Sequence, residues 1–582
     1  MTLDDFRELW VVDYEFRAAT GEQPEVVCVV AHEVRSKRTV RLWHDEFQGK
    51  GCPYSTGPDS LVIAYYAAAE MSCHLALGWP LPLNVLDLYA EFRVQTNGMV
   101  LPMGNGLLGA LEYYGHAGIS SIEKEAMRTL VLRGGEYTAA ERHDILDYCQ
   151  SDVDATTKLL SSMAVLFGAD MRMAHALQRG RYTKAVAHIE FDGIPIDGPL
   201  LTQLRAHWTD IQDKLIERVD QQYGVYDGRV FKLARFAAYL SRCDIPWPTL
   251  PSGRLQLDDD TFSEQCKAFP ALRPLKELRQ ALGQLRLSEL AVGRDQRNRA
   301  MLSMFRSKTG RNQPSTSKFA FGLSAWLRGL IKPAPGFGLS YVDWSQQEFG
   351  IAAALSGDAR MQAAYRSGDP YLEFAKQAGA VPADATKATH PQMRELYKAC
   401  VLATQYGMQE DSLAKRIQQP PIYARELLKA HRRTYKTFWD WSDGVVDYAL
   451  TNRKLWTVFG WTLHVGPGSN SRSLQNFLMQ ANGAEMLRLA CCLATEAGIK
   501  VVAPVHDAVL IEAPLESLDA ATAQMQEFMR QASVMVLDGF ELRSDAKMIR
   551  APARFCDERG SMMWNTVQEL LQEMQPASEV QG

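Results

Sequence analysis

The sequence of 582 residues has no long hydrophobic segment and no closely paired cysteines. No apolar run approaches the roughly 18 residues that span a bilayer, and the acidic start, MTLDDFRELW, lacks the basic and apolar regions of a signal peptide. The ten cysteines form no CxxC pair and show no Cys/His spacing typical of a zinc knuckle. These absences argue against a membrane span, a disulfide framework and a zinc finger. They predict a soluble chain in a reducing, cytoplasmic compartment.

Excess positive charge is also absent, because 63 Lys and Arg stand against 68 Asp and Glu for a net charge of −5. No global field therefore attracts a polyanion, and any nucleic-acid surface must be local. Between Gly293 and Lys318 seven cations stand against the single acid Asp295. This segment suits phosphate contacts, and a solvated loop is the alternative interpretation.

The spacing of apolar residues predicts a mixed α/β chain with a helical middle part. In the first 160 or so residues, LWVVDYEF and EVVCVVAHEV alternate as strands do, whereas DSLVIAYYAAAEMSCHLAL and TAAERHDILDYCQSDVDATTKLL have helical spacing. From about Leu200 to Leu290, apolar residues recur every three or four positions, which predicts helices. The length suggests roughly four compact lobes.

A strand followed at once by a helix is predicted in FGLSYVDWSQQEFGIAAALSGD. The strand ends at Asp343, and the helix continues to Gly357. An acid at a strand end is well placed for a metal ion. Ser345 and Glu348 have the spacing of a capping box, so helix initiation is the alternative role for Glu348.

A β-hairpin with an acid at its turn is predicted in IKVVAPVHDAVLIEAP, where two apolar runs meet at His506 and Asp507. An Asp at a strand end and an Asp at a hairpin turn could together hold two divalent ions roughly 4 Å apart. That geometry suits in-line phosphoryl transfer.

Between these two blocks, THPQMRELYKACVLATQYGM predicts a helix with a capping box at Thr389 and an end at Gly407. Arg394, Lys398 and Leu402 share one face of it. Two cations near a helix N-terminus make a docking surface for a polyphosphate, and an ordinary exposed face is the alternative.

The three blocks, in this order, resemble the motifs of the family A DNA polymerases, the bacterial DNA polymerase I type. DWSQQE resembles motif A, RELYKACVLATQYG resembles motif B and VHD resembles motif C. The resemblance implies that Asp343 and Asp507 are catalytic metal ligands, assisted by the backbone carbonyl of Trp344. Two Mg²⁺ ions would bind there.

The resemblance also implies roles for residues around this metal site. Arg394 and Lys398 would bind the incoming triphosphate, and Lys398 would also be a catalytic residue. Glu348 would exclude a ribose 2′-hydroxyl. Leu402 and Tyr406 would be the other nucleotide contacts. The residues implied in primer-template binding are Arg311, Arg328, Arg472, Asn476, Gln480 and His506.

The sequence departs from the family pattern at three positions. Many members have Glu after the His-Asp pair, but this chain has Ala508, so the role of a third acid is absent or moved. Tyr371 stands in Asp-Pro-Tyr where the family has Asp-Ile-His, and Leu402 stands where Phe or Tyr is usual. None of these changes removes one of the two metal-binding aspartates.

A second set of acids lies in the N-terminal part of the chain. Asp13 and Glu15 are two apart on a predicted strand and so face the same side, although polar alternation on a solvent face is the alternative. Tyr148 and Asp152 are four apart on one helix face. With Glu70 between them, they resemble a DEDDy 3′–5′ exonuclease domain, in which Asp13, Glu15 and Asp152 would bind divalent ions. Glu70 stands where the second motif has Asp, which keeps the charge and lengthens the side chain.

These resemblances together imply an RNase H-like exonuclease domain over residues 1–178 and a right-hand polymerase over 179–582. The thumb would lie near 200–310, the palm at 311–360 and 456–582, and the fingers at 361–455. The expected protein is a monomeric DNA polymerase with 3′–5′ exonuclease activity, acting on primer-template DNA and deoxynucleoside triphosphates in a bacterial or phage-infected cell. The alternatives are a single-subunit RNA polymerase, which Glu348 argues against, and a non-catalytic nucleic-acid-binding scaffold.

Overall fold

The computed structural model describes residues 1–47, 49–116, 121–168, 170–250, 252–283, 285–405 and 407–574. Its strands are β1 (Glu8–Arg17), β2 (Glu25–Glu33), β3 (Thr39–Trp43), β4 (Ser60–Ala64), β5 (Asn84–Asp87), β6 (Ile194–Pro195), β7 (Tyr226–Asp227), β8 (Val230–Phe231), β9 (Arg297–Asn298), β10 (Phe337–Trp344), β11 (Lys454–Trp456), β12 (Thr462–His464), β13 (Lys500–Val505), β14 (Ala508–Pro514) and β15 (Ser544–Arg550). Its α-helices are α1 (His44–Phe47), α2 (Ala68–Leu77), α3 (Leu88–Thr96), α4 (Leu107–Tyr113), α5 (Ser121–Arg133), α6 (Ala139–Met163), α7 (Asp170–Asp192), α8 (Gly198–Ala206), α9 (Trp208–Asp220), α10 (Leu233–Arg242), α11 (Asp259–Ala268), α12 (Arg273–Gly283), α13 (Gln347–Ser356), α14 (Ala359–Arg366), α15 (Pro370–Gln377), α16 (Pro391–Gln405), α17 (Glu410–Ile417), α18 (Pro421–Thr434), α19 (Lys436–Asn452), α20 (Ser471–Glu496), α21 (Leu518–Val536) and α22 (Ser561–Met574).

The first sheet has five strands in the order β3-β2-β1-β4-β5, with β1 antiparallel to β2 and parallel to β4. Both faces are covered, so successive residues of β1 enter two different hydrophobic clusters. Val11 packs with residues of α6, whereas Trp10 and Val12 pack with residues of α2. Asp13 shares the face of Val11 because side chains alternate along a strand. The sheet therefore turns Asp13 toward α6.

One predicted helix is wrong in its first part. The segment DSLVIAYYAAAEMSCHLAL begins with the buried strand β4 and becomes helical only at Ala68. Strand β4 lies between β1 and β5 and is buried along its whole length. A short apolar run buried on both faces shows no alternation, so its spacing does not distinguish it from a buried helix.

Helix α7 connects the N-terminal sheet to the C-terminal part of the chain. It packs against β5 and α2 on one side and against α20 and β13 on the other. Within it, the buried guanidinium of Arg179 donates to both carboxylate oxygens of Glu91 on α3, at 2.6 and 2.8 Å, and to the carbonyl of Phe459 at 2.8 Å. The domain boundary predicted between residues 178 and 179 falls inside this helix.

The second sheet is antiparallel, in the order β13-β14-β10-β15. Its buried residues join α13, α20 and α21 in the largest hydrophobic cluster. The central strand β10 and the β13–β14 hairpin are those predicted from sequence, as are the helices over residues 198–283. Among the described residues, no helix combines the length and apolar character needed to cross a membrane.

The cation-rich segment from Gly293 to Lys318 is mostly irregular, and part of its charge is used within the protein. Arg299 is bound by Asp295 at 2.6 Å, and Arg297 is bound by the buried Glu512 at 2.8 Å. The Arg297–Glu512 pair ties the segment to β14, and Arg299 also donates to the carbonyl of Phe191, near the end of α7, at 2.7 Å. Only the remaining cations, among them Arg311, can serve a phosphate surface.

Candidate active site

The second sheet brings Asp343 and Asp507 together. Asp343 is the penultimate residue of β10 and pairs with Ala508, the first residue of β14. The hairpin turn places His506 in the left-handed conformation, with φ of 57°, and Asp507 directly before β14. The backbone N–H of Trp344 donates to the carbonyl of Asp507 at 3.4 Å. Two distant sequence motifs thus meet at one end of the sheet.

The electrostatics of this acid pair suit a divalent cation. The pKa of Asp343 is raised to about 7, first by burial and then by the charges of Asp507 and Asp545. Burial also raises the pKa of Asp507. The Oδ1 atom of Asp343 is buried and accepts no hydrogen bond. Hard cations such as Mg²⁺ bind carboxylate oxygens, so these residues fit a metal ion that would supply the missing positive charge.

A cavity of about 280 Å³ opens beside the pair. It is lined by Arg311, Gln346, Gln347, Glu348, Phe349, Tyr371, Leu402, His506 and Asp507. Burial raises the pKa of Glu348, whose Oε1 lies 3.9 Å from Nη2 of Arg311. The cavity therefore joins one candidate metal ligand, Asp507, with a cation and a bulky acid in a space suited to a small polar ligand.

Neither predicted capping box forms. Gln346 precedes α13 in the left-handed conformation without a side-chain cap, and the hydroxyl of Ser345 donates instead to Oδ2 of Asp545 at 2.5 Å. The hydroxyl of Thr389 bonds with Thr386 ahead of α16. Glu348 consequently points to the cavity rather than to the start of its own helix.

Helix α16 spans Pro391–Gln405, as the sequence predicts, and presents its candidate residues in different environments. Arg394 is bound by the carboxylates of Asp369 and Glu395, and its guanidinium lies over the Tyr371 ring. Lys398 is 39% exposed and lies 3.5 Å from Glu395. Leu402 reaches the cavity, whereas Tyr406 lies outside the described residues.

The candidate primer-template residues divide into three groups. Arg311 and His506 line the cavity. Arg472, Asn476 and Gln480 are four apart along α20 and are exposed or half-buried. Arg328 is different, because it is bound by Asp557 at 2.7 Å and by the carbonyl of Phe321 at 3.1 Å.

The first sheet gathers a second acidic site. One ligand atom each of Asp13, Glu15 and Cys149 lies within 4.8 Å of the other two, and the Cys149 thiol donates to Asp13 Oδ2 at 3.2 Å. Burial, then the charge of Asp152, raises the pKa of Asp13 to about 8. Glu70 on α2 is 5% exposed, its Oε2 accepts no hydrogen bond, and its pKa is raised by burial and then by Asp13.

A cation that the sequence did not single out accompanies this site. Lys124 on α5 binds Asp152 at 2.6 Å, and its ammonium lies 5.8 Å from the ring centroid of Tyr148. Cys149 and Lys124 were not predicted as site residues. Cys149 lies within the YCQSD motif, but no feature of that motif indicates a role for the thiol. The local sequence around Lys124 likewise does not relate it to Asp152, which is 28 residues away.

Comparison with known proteins relates the C-terminal part to one protein family. Residues 319–548 match DNA polymerase family A. DNA polymerase I of Caldicellulosiruptor bescii is 26% identical over 223 residues, which cover 35% of this chain and 26% of that protein. The thermostable DNA polymerase I of Thermus filiformis is 24% identical over 389 residues, which cover 60% of this chain and 45% of that protein. The chain thus spans between a quarter and a half of the length of these relatives.

A solved structure matches almost the whole chain. The POL domain of Pol1 from M. smegmatis, in complex with DNA primer-template and dNTP, superposes with a TM-score of 0.70 over 93% of this chain and 94% of that one. At 18% identity this match shows the fold, and it confirms the predicted mixed α/β polymerase architecture. Residues 319–548 thus have the sequence pattern of DNA polymerase family A.

Proposed function

We propose that the protein is a template-directed DNA polymerase that extends a primer 3′ end with deoxynucleotides. The observation that supports this best is the meeting of Asp343 and Asp507 beside a cavity that also contains Glu348 and Arg311. Two Mg²⁺ ions, when bound, would activate the primer 3′-hydroxyl and stabilise the charge that develops during phosphoryl transfer.

The protein's own residues bind and orient the substrates in this proposal. Asp343 and Asp507, with the carbonyl of Trp344, hold the metal ions. Lys398, exposed on α16, and Arg394 bind the triphosphate oxygens, for which Arg394 has to exchange its present carboxylate partners. Arg311, His506, Arg328 and the α20 face of Arg472, Asn476 and Gln480 contact the primer-template duplex.

Glu348 selects deoxyribonucleotides over ribonucleotides in this proposal. Its carboxylate projects into the cavity from the first turn of α13, where a ribose 2′-hydroxyl would meet it. Deoxynucleotides lack that hydroxyl. This arrangement favours a DNA polymerase over the alternative of a single-subunit RNA polymerase.

We assign 3′–5′ exonuclease activity to the N-terminal site on the basis of its four clustered acids and Tyr148. Asp13, Glu15 and Asp152 would hold divalent ions, and Glu70 would complete the set. The raised pKa of Asp13 and the unpartnered Oε2 of Glu70 are both features that a bound cation would stabilise. Primer-template DNA and deoxynucleoside triphosphates are the proposed partners, and thumb, palm and fingers follow the ranges given above.

The test is incubation of a labelled primer on a longer DNA template with Mg²⁺ and four deoxynucleotides. Asp343→Ala should reduce extension on the order of 1,000-fold, as expected when several kcal/mol of transition-state stabilisation are lost, and should leave primer shortening intact. Asp13→Ala should abolish primer shortening and leave extension intact. Asp447→Ala, an exposed acid on α19, is the matched control and should retain both activities.

The alternatives predict different results. Extension with ribonucleotides in preference to deoxynucleotides would favour an RNA polymerase. A wild-type protein that binds the duplex but neither extends nor shortens the primer would favour the scaffold.

A further inference from the structure

A third acid lies across the sheet from Asp343. In β10, Asp343 has Ala508 of β14 as its neighbour on one side and Asp545 of β15 on the other. Directly opposite residues of antiparallel strands project on the same face, with Cβ atoms about 5 Å apart. Asp343 and Asp545 therefore project from the same face of the sheet, and the charges of Asp507 and Asp545 both act on Asp343.

The side chain of Asp545 is held in this position. Its Oδ2 accepts a hydrogen bond of 2.5 Å from the hydroxyl of Ser345, whose own backbone N–H donates to the carbonyl of Arg543 at 2.9 Å. The residue after β10 is thus tied by one hydrogen bond to Asp545 and by another to Arg543, the residue before β15. Oδ1 of Asp545 is not used by the bond to Ser345 and can face a ligand.

This arrangement is unfavourable unless a cation is present. Like charges directly opposite each other on neighbouring strands destabilise a sheet. Asp343 Oδ1 is in addition buried and has no hydrogen-bond partner among the described residues. A divalent ion shared by the carboxylates would offset both costs, since hard cations collect several carboxylate oxygens.

We propose that Asp545 is a third carboxylate of the divalent-cation site formed by Asp343 and Asp507, and that Ser345 positions it. Ala508, which pairs with Asp343 on β14, has no side-chain ligand atom. The third carboxylate therefore comes from Asp545, which pairs with Asp343 on β15. The inference rests on the proposed function of this site. It adds that the last strand of the sheet, β15, takes part in metal binding.

The test measures metal affinity directly. Mn²⁺ binding is titrated by electron paramagnetic resonance of the free ion, in full-length protein carrying Asp13→Asn and Glu15→Gln so that the N-terminal site does not contribute. Asp545→Asn should weaken Mn²⁺ binding at the Asp343 site about 10-fold or more. Ser345→Ala should weaken Mn²⁺ binding less than Asp545→Asn does. Asp545→Glu, which keeps a carboxylate, should bind Mn²⁺ more tightly than Asp545→Asn. Glu516→Gln, an exposed acid on the turn after β14, is the control and should bind as the parent does.

Thermal unfolding separates a metal-binding role from a structural one. Without metal, Asp545→Asn should unfold at the same or a higher temperature than the parent because a like-charge contact is removed. The increase in unfolding temperature on adding Mn²⁺ should be smaller. A structural residue would instead lower the unfolding temperature in both conditions.

Two outcomes would contradict different statements. If Asp343→Asn abolishes Mn²⁺ binding at this site and Asp545→Asn binds as the parent does, the role of Asp545 is wrong and the proposed function stands. If Asp343→Asn also leaves Mn²⁺ affinity unchanged, the metal site itself is wrong.

Discussion

Glu348 Oε1 lies 3.9 Å from Arg311 Nη2, across a cavity that Asp507 also lines. In the proposed function, this contact holds a bulky acid beside the sugar of an incoming nucleotide. Glu348→Ala should therefore admit ribonucleotides and reduce the preference for deoxynucleotides at least 10-fold, measured as the ratio of kcat/KM for dATP and ATP. Glu348→Gln keeps the side-chain volume and should keep most of the preference. Equal preference in the Ala variant and the wild type would contradict the assigned role.

Lys398 provides a second test, because it is the more exposed of the two cations proposed to bind the triphosphate. A charge-assisted hydrogen bond to a phosphate contributes about 1.5 to 3 kcal/mol, which corresponds to roughly 10- to 100-fold. Lys398→Ala should lower kcat/KM for deoxynucleotides by that factor and leave primer-template affinity unchanged. Lys429→Ala on α18 is the control. A loss confined to DNA affinity would place Lys398 on the duplex instead.

Lys124 predicts a property of the N-terminal site, since its ammonium binds Asp152 at 2.6 Å and so neutralises one proposed metal ligand. Lys124→Ala should tighten Mn²⁺ binding there several-fold at pH 8, measured in a chain whose second site is removed by Asp343→Asn and Asp507→Asn. Arg142→Ala, an exposed cation on α6, should have no such effect. Weaker Mn²⁺ binding in Lys124→Ala would show that the lysine supports the site rather than competing with the ion.

Asp87 gives a stability prediction that depends on pH. It caps α3 by accepting from the backbone of Tyr89 and Ala90, and burial raises its pKa from 3.8 to about 7. Between these values the folded protein keeps a proton that the unfolded chain has released, so the unfolding free energy falls as pH rises through this window and levels off above it.

Asp87→Asn keeps the cap oxygen and removes this titration. The unfolding free energy of Asp87→Asn relative to wild type should therefore increase from pH 5 to pH 8 by about 2 to 3 kcal/mol. Chemical denaturation at both pH values measures it, with Asp447→Asn as a control that should show no change with pH. A constant difference between Asp87→Asn and wild type would contradict the raised pKa.

Local patterns predicted the elements that carry Asp343 and Asp507, because a strand end and a hairpin turn are defined by neighbouring residues. Contacts that depend on strand register were not predictable in this way. Asp545 lies about 200 residues from Asp343, and only the pairing of β10 with β15 brings them together. The capping box at Ser345 failed for the same reason, since the Ser345 hydroxyl donates instead to Asp545 on another strand.

In the N-terminal part, spacing placed Asp13 and Glu15 on a common face, and the structure puts them beside α6. The excess of cations between Gly293 and Lys318 was a misleading signal, because part of that charge is paired with acids of the protein. Arg297 and Arg299 belong to a segment that suggested a phosphate surface, yet both are bound by acids of the protein. Whether a cation is free or paired depends on tertiary neighbours that a single sequence does not contain.

The ion pair between Arg179 and Glu91 has a consequence for how the molecule can be divided. A fragment that ends at residue 178 would keep Glu91 but lose the guanidinium that satisfies it, and it would cut α7 in the middle of its packing surface. The complementary fragment would begin with a half-helix and an arginine without its acid. Because α7 packs against both sheets, we expect each sheet to stabilise the other. We expect them to unfold in one transition, and the N-terminal part to be insoluble or unfolded when it is expressed without α7.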